Sequence, residues 1–131
     1  MSDRNLPDTV KYTKDHEWIS LQAPYRIGIS DFAQEQLGDL TFVDLPASGA
    51  VLKQGAEFGS LESTKSVSSL LSPVDGMVAA VNDALESDPG LVNTAPYGAG
   101  WLVEVSLADP GQLANLMDAA AYAAFLDSEG N

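Results

Sequence analysis

Several residue types that support common chemistries are scarce or absent in this sequence. Its 131 residues include no cysteine, one histidine, and six Lys and Arg against 19 Asp and Glu. Without cysteine, the chain has no disulfide, thiolate metal site or cysteine nucleophile, and the lone His16 excludes a Cys/His zinc cluster. The formal net charge of -13 disfavours nucleic acid and anionic membranes as partners, because both present negative charge.

Long apolar runs and targeting patterns are also missing. The longest apolar stretches are far below the roughly 20 residues of a membrane-spanning helix. The segment Met1–Asp8 has no apolar core and a single basic residue, unlike a signal or transit peptide. We therefore expect a cytoplasmic protein with no membrane partner, and we predict that it is a monomer.

Length and composition are those of an ordinary globular protein. Apolar residues make up 45% of the chain, and domains cluster at about 100–150 residues. We predict a single domain over residues 1–131. Its parts are an N-terminal arm at 1–9, a β core at 10–107 and C-terminal helices at 109–127.

The middle of the chain predicts a series of short strands. The runs His16–Leu21 and Tyr25–Ile29 flank a segment containing Pro24, which is a hairpin pattern. Many short strands separated by Gly and Pro turns are typical of a barrel or sandwich. Further strands are predicted at 40–45, 51–52, 58–62, 67–71, 77–81 and 101–105.

One short helix is predicted between the early strands. Ser30 or Asp31 begins it, and Asp31 with Gln34 fits a capping box. Gly38 suits the position that follows the last helical residue, since glycine readily adopts the left-handed conformation.

Helical and loop segments are predicted in the second half. Residues 82–86 predict one helical turn, and residues 87–100, rich in Pro, Gly and Asn, predict a surface loop. Asp109 followed by Pro110 predicts the start of one C-terminal helix, and Asp118 the start of a second.

Motifs of familiar enzyme classes are missing. The chain has neither a Gly-x-Ser-x-Gly elbow nor a Gly-x4-Gly-Lys-Ser/Thr phosphate loop. The carboxylates are numerous but scattered, which is typical of a solvated acidic surface. We therefore predict no catalytic residue and no metal site.

Lys65 is one of four lysines, and its setting is unusual. It lies between two predicted strands, within the segment Leu61–Ser68 and among small hydroxyl residues. This pattern predicts a hairpin tip that exposes the ammonium to another protein. An ordinary solvated turn lysine has the same local pattern, so the surrounding sequence must decide.

The sequence on both sides of Lys65 contains a set of short, spaced elements. They are Gly49-x-Val51, Gly55, Leu61-Glu62, Ser72-Pro73 and Gly76-x-Val78. This set resembles the pattern of biotinyl and lipoyl domains. The resemblance implies a mainly β fold, a flattened barrel-sandwich hybrid of two small antiparallel sheets with the modified lysine on an exposed hairpin. Short helices, including the C-terminal helical segment, would complete it.

Longer motifs occur in order over residues 10–127. They are His16-Glu17-Trp18, Gly28 to Asp39, Phe42 to Pro46, Phe58-Gly59, Glu62 to Lys65, Ser72 to Gly76, Val81-Asn82, Pro96 to Leu102 and Tyr122-x2-Phe125-Leu126. Together these motifs resemble one family, the H proteins of the glycine cleavage system.

This resemblance implies a non-catalytic carrier with lipoic acid joined by an amide to Lys65. Glycine decarboxylase would load an aminomethyl group, and aminomethyltransferase would pass its one-carbon unit to tetrahydrofolate. Dihydrolipoamide dehydrogenase would then reoxidise the dithiol. A long tether on a rigid body raises the effective concentration of such a group near each partner.

The resemblance also implies roles for four further residues. Glu62 matches a glutamate associated with recognition by lipoylating enzymes. Asp15, Glu17 and Ser69 match positions that hold the loaded arm in a cleft. Many relatives have Asp where Ser69 stands and Ser where Asp15 stands, and we hypothesise that Asp15 compensates for Ser69.

Other carriers and one unrelated class remain as alternatives. Biotinyl domains usually present Met-Lys-Met, and lipoyl domains of 2-oxo acid dehydrogenases commonly show Asp-Lys-Ala, whereas this chain has Thr64-Lys65-Ser66. A homologue that relays lipoyl groups to other complexes would share Lys65 and the fold. The last alternative is an unmodified acidic interaction module, and the presence of Glu62 and Lys65, which such a module would not need, argues against it.

Overall fold

The computed structural model describes residues 6–128, which form short strands and helices. The strands are β1 Val10–Tyr12, β2 Glu17–Ser20, β3 Tyr25–Ile29, β4 Leu40–Asp44, β5 Val51–Leu52, β6 Glu57–Ser63, β7 Val67–Leu71, β8 Gly76–Val81 and β9 Val103–Leu107. The helices are α1 Asp31–Leu37, α2 Ala84–Ser87, α3 Leu91–Thr94, α4 Ala119–Ser128 and a 3-10 helix, Pro110–Asn115.

The strands form two antiparallel sheets, as predicted. One sheet has six strands in the order β1-β2-β3-β9-β8-β5, and the other has three in the order β4-β6-β7. The sheets are unequal and do not close into a barrel, so β7 is an edge strand. Of the two descriptions combined in the predicted hybrid fold, the sandwich fits the structure better than the barrel.

The apolar interior joins both sheets to the helices. Leu61 and Leu70 of the three-stranded sheet pack with Leu85 of α2 and Val92 of α3. A second cluster fills the centre of the six-stranded sheet, around Ile27. Within residues 6–128, every helix is too short or too polar to cross a bilayer.

The C-terminal helix packs against the first strand. The rings of Tyr12 and Tyr122 are stacked with centroids 4.5 Å apart. The Tyr122 hydroxyl also lies 2.7 Å from His16 Nδ1 and 2.8 Å from Ser30 Oγ. Helix α4 is thereby tied to the segment before β2 and to the start of α1.

The ends of α1 agree with the sequence except in one detail. Ser30 is the N-cap, with its hydroxyl accepting from Ala33 N, and Gly38 is the C-cap with φ 81°. The predicted capping box is absent, because the Gln34 amide donates to the Asp31 side chain at 2.7 Å.

The segment 87–100 differs from the predicted surface loop. It contains α3, and the side chain of Val92 is completely buried. One of its glycines, Gly100, is required for tight packing. A Cβ at Gly100 would lie 2.5 Å from the Leu91 carbonyl oxygen, which leaves room only for glycine.

The two ends of the chain correct the prediction in smaller ways. Strand β1 was not predicted, and the first C-terminal helix is a 3-10 helix with Asp109 as its cap. Asp118 caps α4 as predicted, accepting from Ala121 N at 2.8 Å. Most of the predicted arm at 1–9 lies outside the described residues, as do residues 129–131.

Candidate functional site

Lys65 lies at the tip of the β6–β7 hairpin, exposed to solvent. Ser63 organises this tip: its hydroxyl accepts from the backbone N–H groups of Lys65 and Ser66, both at 3.1 Å. The Thr64 N–H donates to the Asp39 carbonyl at 3.2 Å and ties the tip to the start of β4. The tip therefore holds the lysine backbone in a fixed position while its ammonium remains accessible.

The aliphatic stem of Lys65 lies over the end of α1. A Cβ at Gly38 would be 2.9 Å from Lys65 Cε, so the stem passes directly over this residue, and the φ of 81° at Gly38 favours glycine there. Asn93 holds the same corner: its amide donates to the Gly38 carbonyl at 2.9 Å, and its Oδ1 accepts from Leu40 N at 2.9 Å. Helix α3 thus fixes the surface over which the lysine extends.

A cleft of about 310 Å³ lies between α1 and the three-stranded sheet. Helix α1, whose last turn adjoins the Lys65 stem, forms one wall, and the edge strand β7 forms part of another. The lining residues are Asp15, His16, Glu17, Ile29, Phe32, Ala33, Gln36, Leu37, Leu61, Ser68, Ser69 and Leu70. Apolar walls with a few polar groups suit an organic ligand that carries a charge at one end.

Glu17 is the buried acid of this cleft, with 1% of its surface exposed. One carboxylate oxygen accepts from Leu71 N at 3.0 Å and the other from the Thr13 hydroxyl at 3.1 Å. Burial raises the pKa of Glu17 from 4.5 to about 8; the two hydrogen bonds oppose this rise, and the nearby Asp15 adds to it. At neutral pH Glu17 is therefore mainly protonated, and a cation that enters the cleft would favour its charged form.

A tight turn presents the two acids to the cleft. Thr13 Oγ1 accepts from Asp15 N and Glu17 N, both at 3.2 Å, and the Thr13 carbonyl accepts from His16 N. His16 has φ 72°, uncommon for a residue other than glycine. Its ring contacts Phe32 and Phe125, which hold this strained residue between α1 and α4.

The structure separates the predicted site residues into two groups. Asp15, Glu17 and Ser69 line the same cleft, with Asp15 and Ser69 at its exposed rim. Glu62 is outside the cleft: it is exposed on β6, opposite Phe42 of β4 and Val67 of β7.

Three residues that shape this site were missed or left without a role by the sequence analysis. Asn93 fell in a segment predicted as a loop, and Gly38 was assigned only to the helix end. Ser63 was quoted only as part of a motif. The Ser-x-x-Ser spacing at the hairpin tip was the one local signal that could have identified Ser63.

Comparison with known proteins places the chain among relatives of matching length. The family model described as Glycine cleavage H-protein matches residues 10–129. The chain belongs to the glycine cleavage H-protein family. The glycine cleavage system H protein of Micrococcus luteus is 52% identical over 122 residues, covering 91% of this chain and 95% of that protein. The H protein of Myxococcus xanthus is 50% identical over 125 residues, covering 95% and 97%.

A solved structure agrees with this assignment. The crystal structure of a glycine cleavage system H protein from Mycobacterium marinum superposes with a TM-score of 0.86 at 40% identity. The match covers 93% of this chain and 99% of that one. The family and the two-sheet fold expected from the sequence motifs are thus confirmed.

Proposed function

We propose that this chain is the lipoyl-bearing carrier of a glycine cleavage system, with lipoic acid joined to Lys65 by an amide bond. The observation that carries the proposal is the placement of Lys65. It stands at an organised hairpin tip beside an acidic cleft, in a chain that matches the H-protein family over residues 10–129. The protein is then a non-catalytic component that presents its cargo to other enzymes.

The residues around Lys65 fit a lipoyl group. The exposed ammonium is available for acylation, and the neighbouring cleft has apolar walls formed by Ile29, Phe32 and Leu61. When attached, the group supplies the two reactive sulfur atoms that this cysteine-free chain lacks. Acylation removes one positive charge, so the formal net charge becomes -13 - 1 = -14.

The acids of the cleft are suited to a cationic cargo. An aminomethyl group is a primary amine, and a carboxylate near an ammonium in a partly dry cleft makes a strong charge-assisted hydrogen bond. Asp15 supplies this charge at the rim of the cleft, and Glu17, whose pKa burial raises to about 8, becomes charged when the ammonium comes close to it inside the cleft. The apolar walls limit the access of water to the cargo.

The partners proposed for this carrier are the other components of the system. Glycine decarboxylase loads the aminomethyl group, aminomethyltransferase unloads it onto tetrahydrofolate, and dihydrolipoamide dehydrogenase restores the disulfide. Lipoylating enzymes act earlier, on unmodified Lys65, and recognise Glu62. We place these steps in the cytoplasm and assign the carrier as a monomer of one domain.

Intact mass after expression in a host that lipoylates proteins tests the proposal. The expected result is a lipoyl increment that peptide mapping places on Lys65 and that Lys65→Arg abolishes. Lys53→Arg, which changes another exposed lysine in a turn, is the matched control and keeps the increment. A wild-type chain that stays unmodified in such a host contradicts the proposal.

Reconstitution then separates the carrier from a lipoyl relay. Lipoylated wild-type protein, the three partner enzymes and labelled glycine are expected to release labelled carbon dioxide over many turnovers, while Lys65→Arg releases none. A lipoylated protein that supports no turnover, yet transfers its lipoyl group to other proteins, is a relay.

A further inference from the structure

The exposed face of the three-stranded sheet carries a row of three side chains next to the Lys65 hairpin. The register places Glu62 opposite Phe42 on one side and opposite Val67 on the other. Residues directly opposite each other in antiparallel strands share a face, with Cβ atoms about 4.5–5.5 Å apart. Phe42, Glu62 and Val67 are referred to below as the hairpin row.

The two apolar members of the hairpin row are largely exposed. Phe42 is 52% exposed and Val67 is 68% exposed, whereas the adjacent residues on the other face, Val43 and Leu61, are buried in the core. The interior of the fold is thus filled without Phe42 and Val67. Apolar side chains on both sides of a carboxylate form a compact surface suited to a partner with apolar and basic groups.

The position of the hairpin row favours one kind of partner. An enzyme that acylates Lys65 must reach Nζ itself, so its surface has to cover the hairpin tip and the first residues beside it. The enzymes that use the finished carrier act at the far end of a long arm and can bind elsewhere. Glu62 precedes Lys65 by three residues and Val67 follows it by two.

We propose that the hairpin row is the docking surface for the lipoylating enzyme, which contacts Phe42 and Val67 with apolar side chains and Glu62 with a basic one. This inference rests on the proposed function and deepens it, because it adds two apolar contacts to the glutamate already assigned. The carboxylate orients the partner, and burial of Phe42 and Val67 supplies binding energy.

The reaction served by this surface is an acyl transfer. Lys65 Nζ loses a proton and attacks the acyl carbon of an activated lipoyl group, here the mixed carboxylic–phosphoric anhydride lipoyl adenylate. The new C–N bond forms while the C–O bond to the phosphate breaks, and AMP leaves with the electron pair. No change in oxidation state accompanies the step.

Lipoylation kinetics with a purified lipoate–protein ligase, ATP and lipoic acid test the inference. Phe42→Ser and Val67→Ser are each expected to lower kcat/KM for Lys65 acylation by about tenfold, as for central interface residues. Val51 and Met77 form a matched control pair, because they face each other on the six-stranded sheet and are 68% and 46% exposed. Val51→Ser and Met77→Ser are expected to leave the rate within about twofold, the range of near-neutral contacts.

A second measurement on fully lipoylated variants distinguishes the possible outcomes. Lipoylated Phe42→Ser and Val67→Ser are expected to support glycine decarboxylation at the wild-type rate. Unchanged lipoylation in both variants overturns the inference, as does an equal loss in lipoylation and decarboxylation, which would indicate a surface shared by all partners. A wild-type protein that is lipoylated efficiently but supports no decarboxylation contradicts the proposed function and leaves the docking surface intact.

Discussion

At the scale of single residues, protonation of Glu17 makes the stability of the fold depend on pH. Folding raises its pKa from 4.5 to about 8, chiefly through burial. Between these values the native state holds a proton that the unfolded state has lost. The free energy of unfolding contributed by Glu17 is therefore fully present below about pH 4.5 and is lost as the pH rises through about 8.

Glu17→Gln should remove this dependence. Relative to wild type, the variant is expected to gain stability on going from pH 5 to pH 9, on the order of a few kcal/mol. Urea unfolding at both pH values measures the difference, with Glu57→Gln, an exposed acid at the start of β6, as the control. A difference between Glu17→Gln and wild type that is the same at both pH values would contradict the assignment.

At the rim of the cleft, Asp15 should compensate for the serine at position 69, so that an acid at either position holds the loaded arm. Asp15→Ala is expected to speed aminomethyl loss from the loaded protein about twofold to fivefold, the effect of one exposed ion pair. Ser69→Asp should slow the loss and offset Asp15→Ala in the double variant. Asp83→Ala, at an exposed acid before α2, provides the control. Equal rates in wild type and Asp15→Ala would refute compensation by Asp15.

At the scale of secondary-structure elements, α3 stabilises the corner between α1 and β4 that lies below the Lys65 stem. Asn93→Ala removes hydrogen bonds to Gly38, Gln34 and Leu40 and leaves the Leu40 N–H without its acceptor. The expected loss of stability is about 1–3 kcal/mol, measured by urea unfolding. The exposed Asn115, at the end of the 3-10 helix, gives the matched control Asn115→Ala. A variant as stable as this control would show that α3 does not support the corner.

Local signals account for the elements that the sequence predicted well. Helix α1 has a capping serine, a terminating glycine and apolar residues at helical spacing, all within nine residues from Ser30 to Gly38. The hairpins are bounded by turn residues in the same way. The site residues were predicted from the family motifs, because no local sequence pattern indicates that they lie close together.

Elements that depend on distant contacts were missed. Helix α3 is one turn long and is stabilised by the burial of Val92 and by bonds from Asn93 to α1 and β4. Strand β1 pairs with β2 and bridges to Met117 near the C-terminus. Single-sequence patterns cannot reveal such partners, because tertiary packing overrides weak local preference.

At the scale of the whole molecule, the negative net charge affects the association with every partner. With 19 acidic and six basic residues, the protein attracts basic surfaces over distances comparable to the Debye length, about 10 Å at 0.1 M salt. The proposed acylation of Lys65 would increase this negative charge at the hairpin. Enzymes that accept the arm are therefore expected to have basic rims around their active-site entrances, which speed association.

Salt should consequently slow the reaction of partner enzymes with the carrier. The kcat/KM of dihydrolipoamide dehydrogenase for the reduced carrier is expected to fall severalfold as salt rises from about 0.02 M to about 0.2 M, mainly through slower association. Free dihydrolipoamide, an uncharged substrate of the same enzyme, is the control and should show little change, because it has no acidic body to be attracted. Equal salt dependence for the two substrates would show that the acidic surface does not guide the encounter, and the role of Lys65 would stand unaffected.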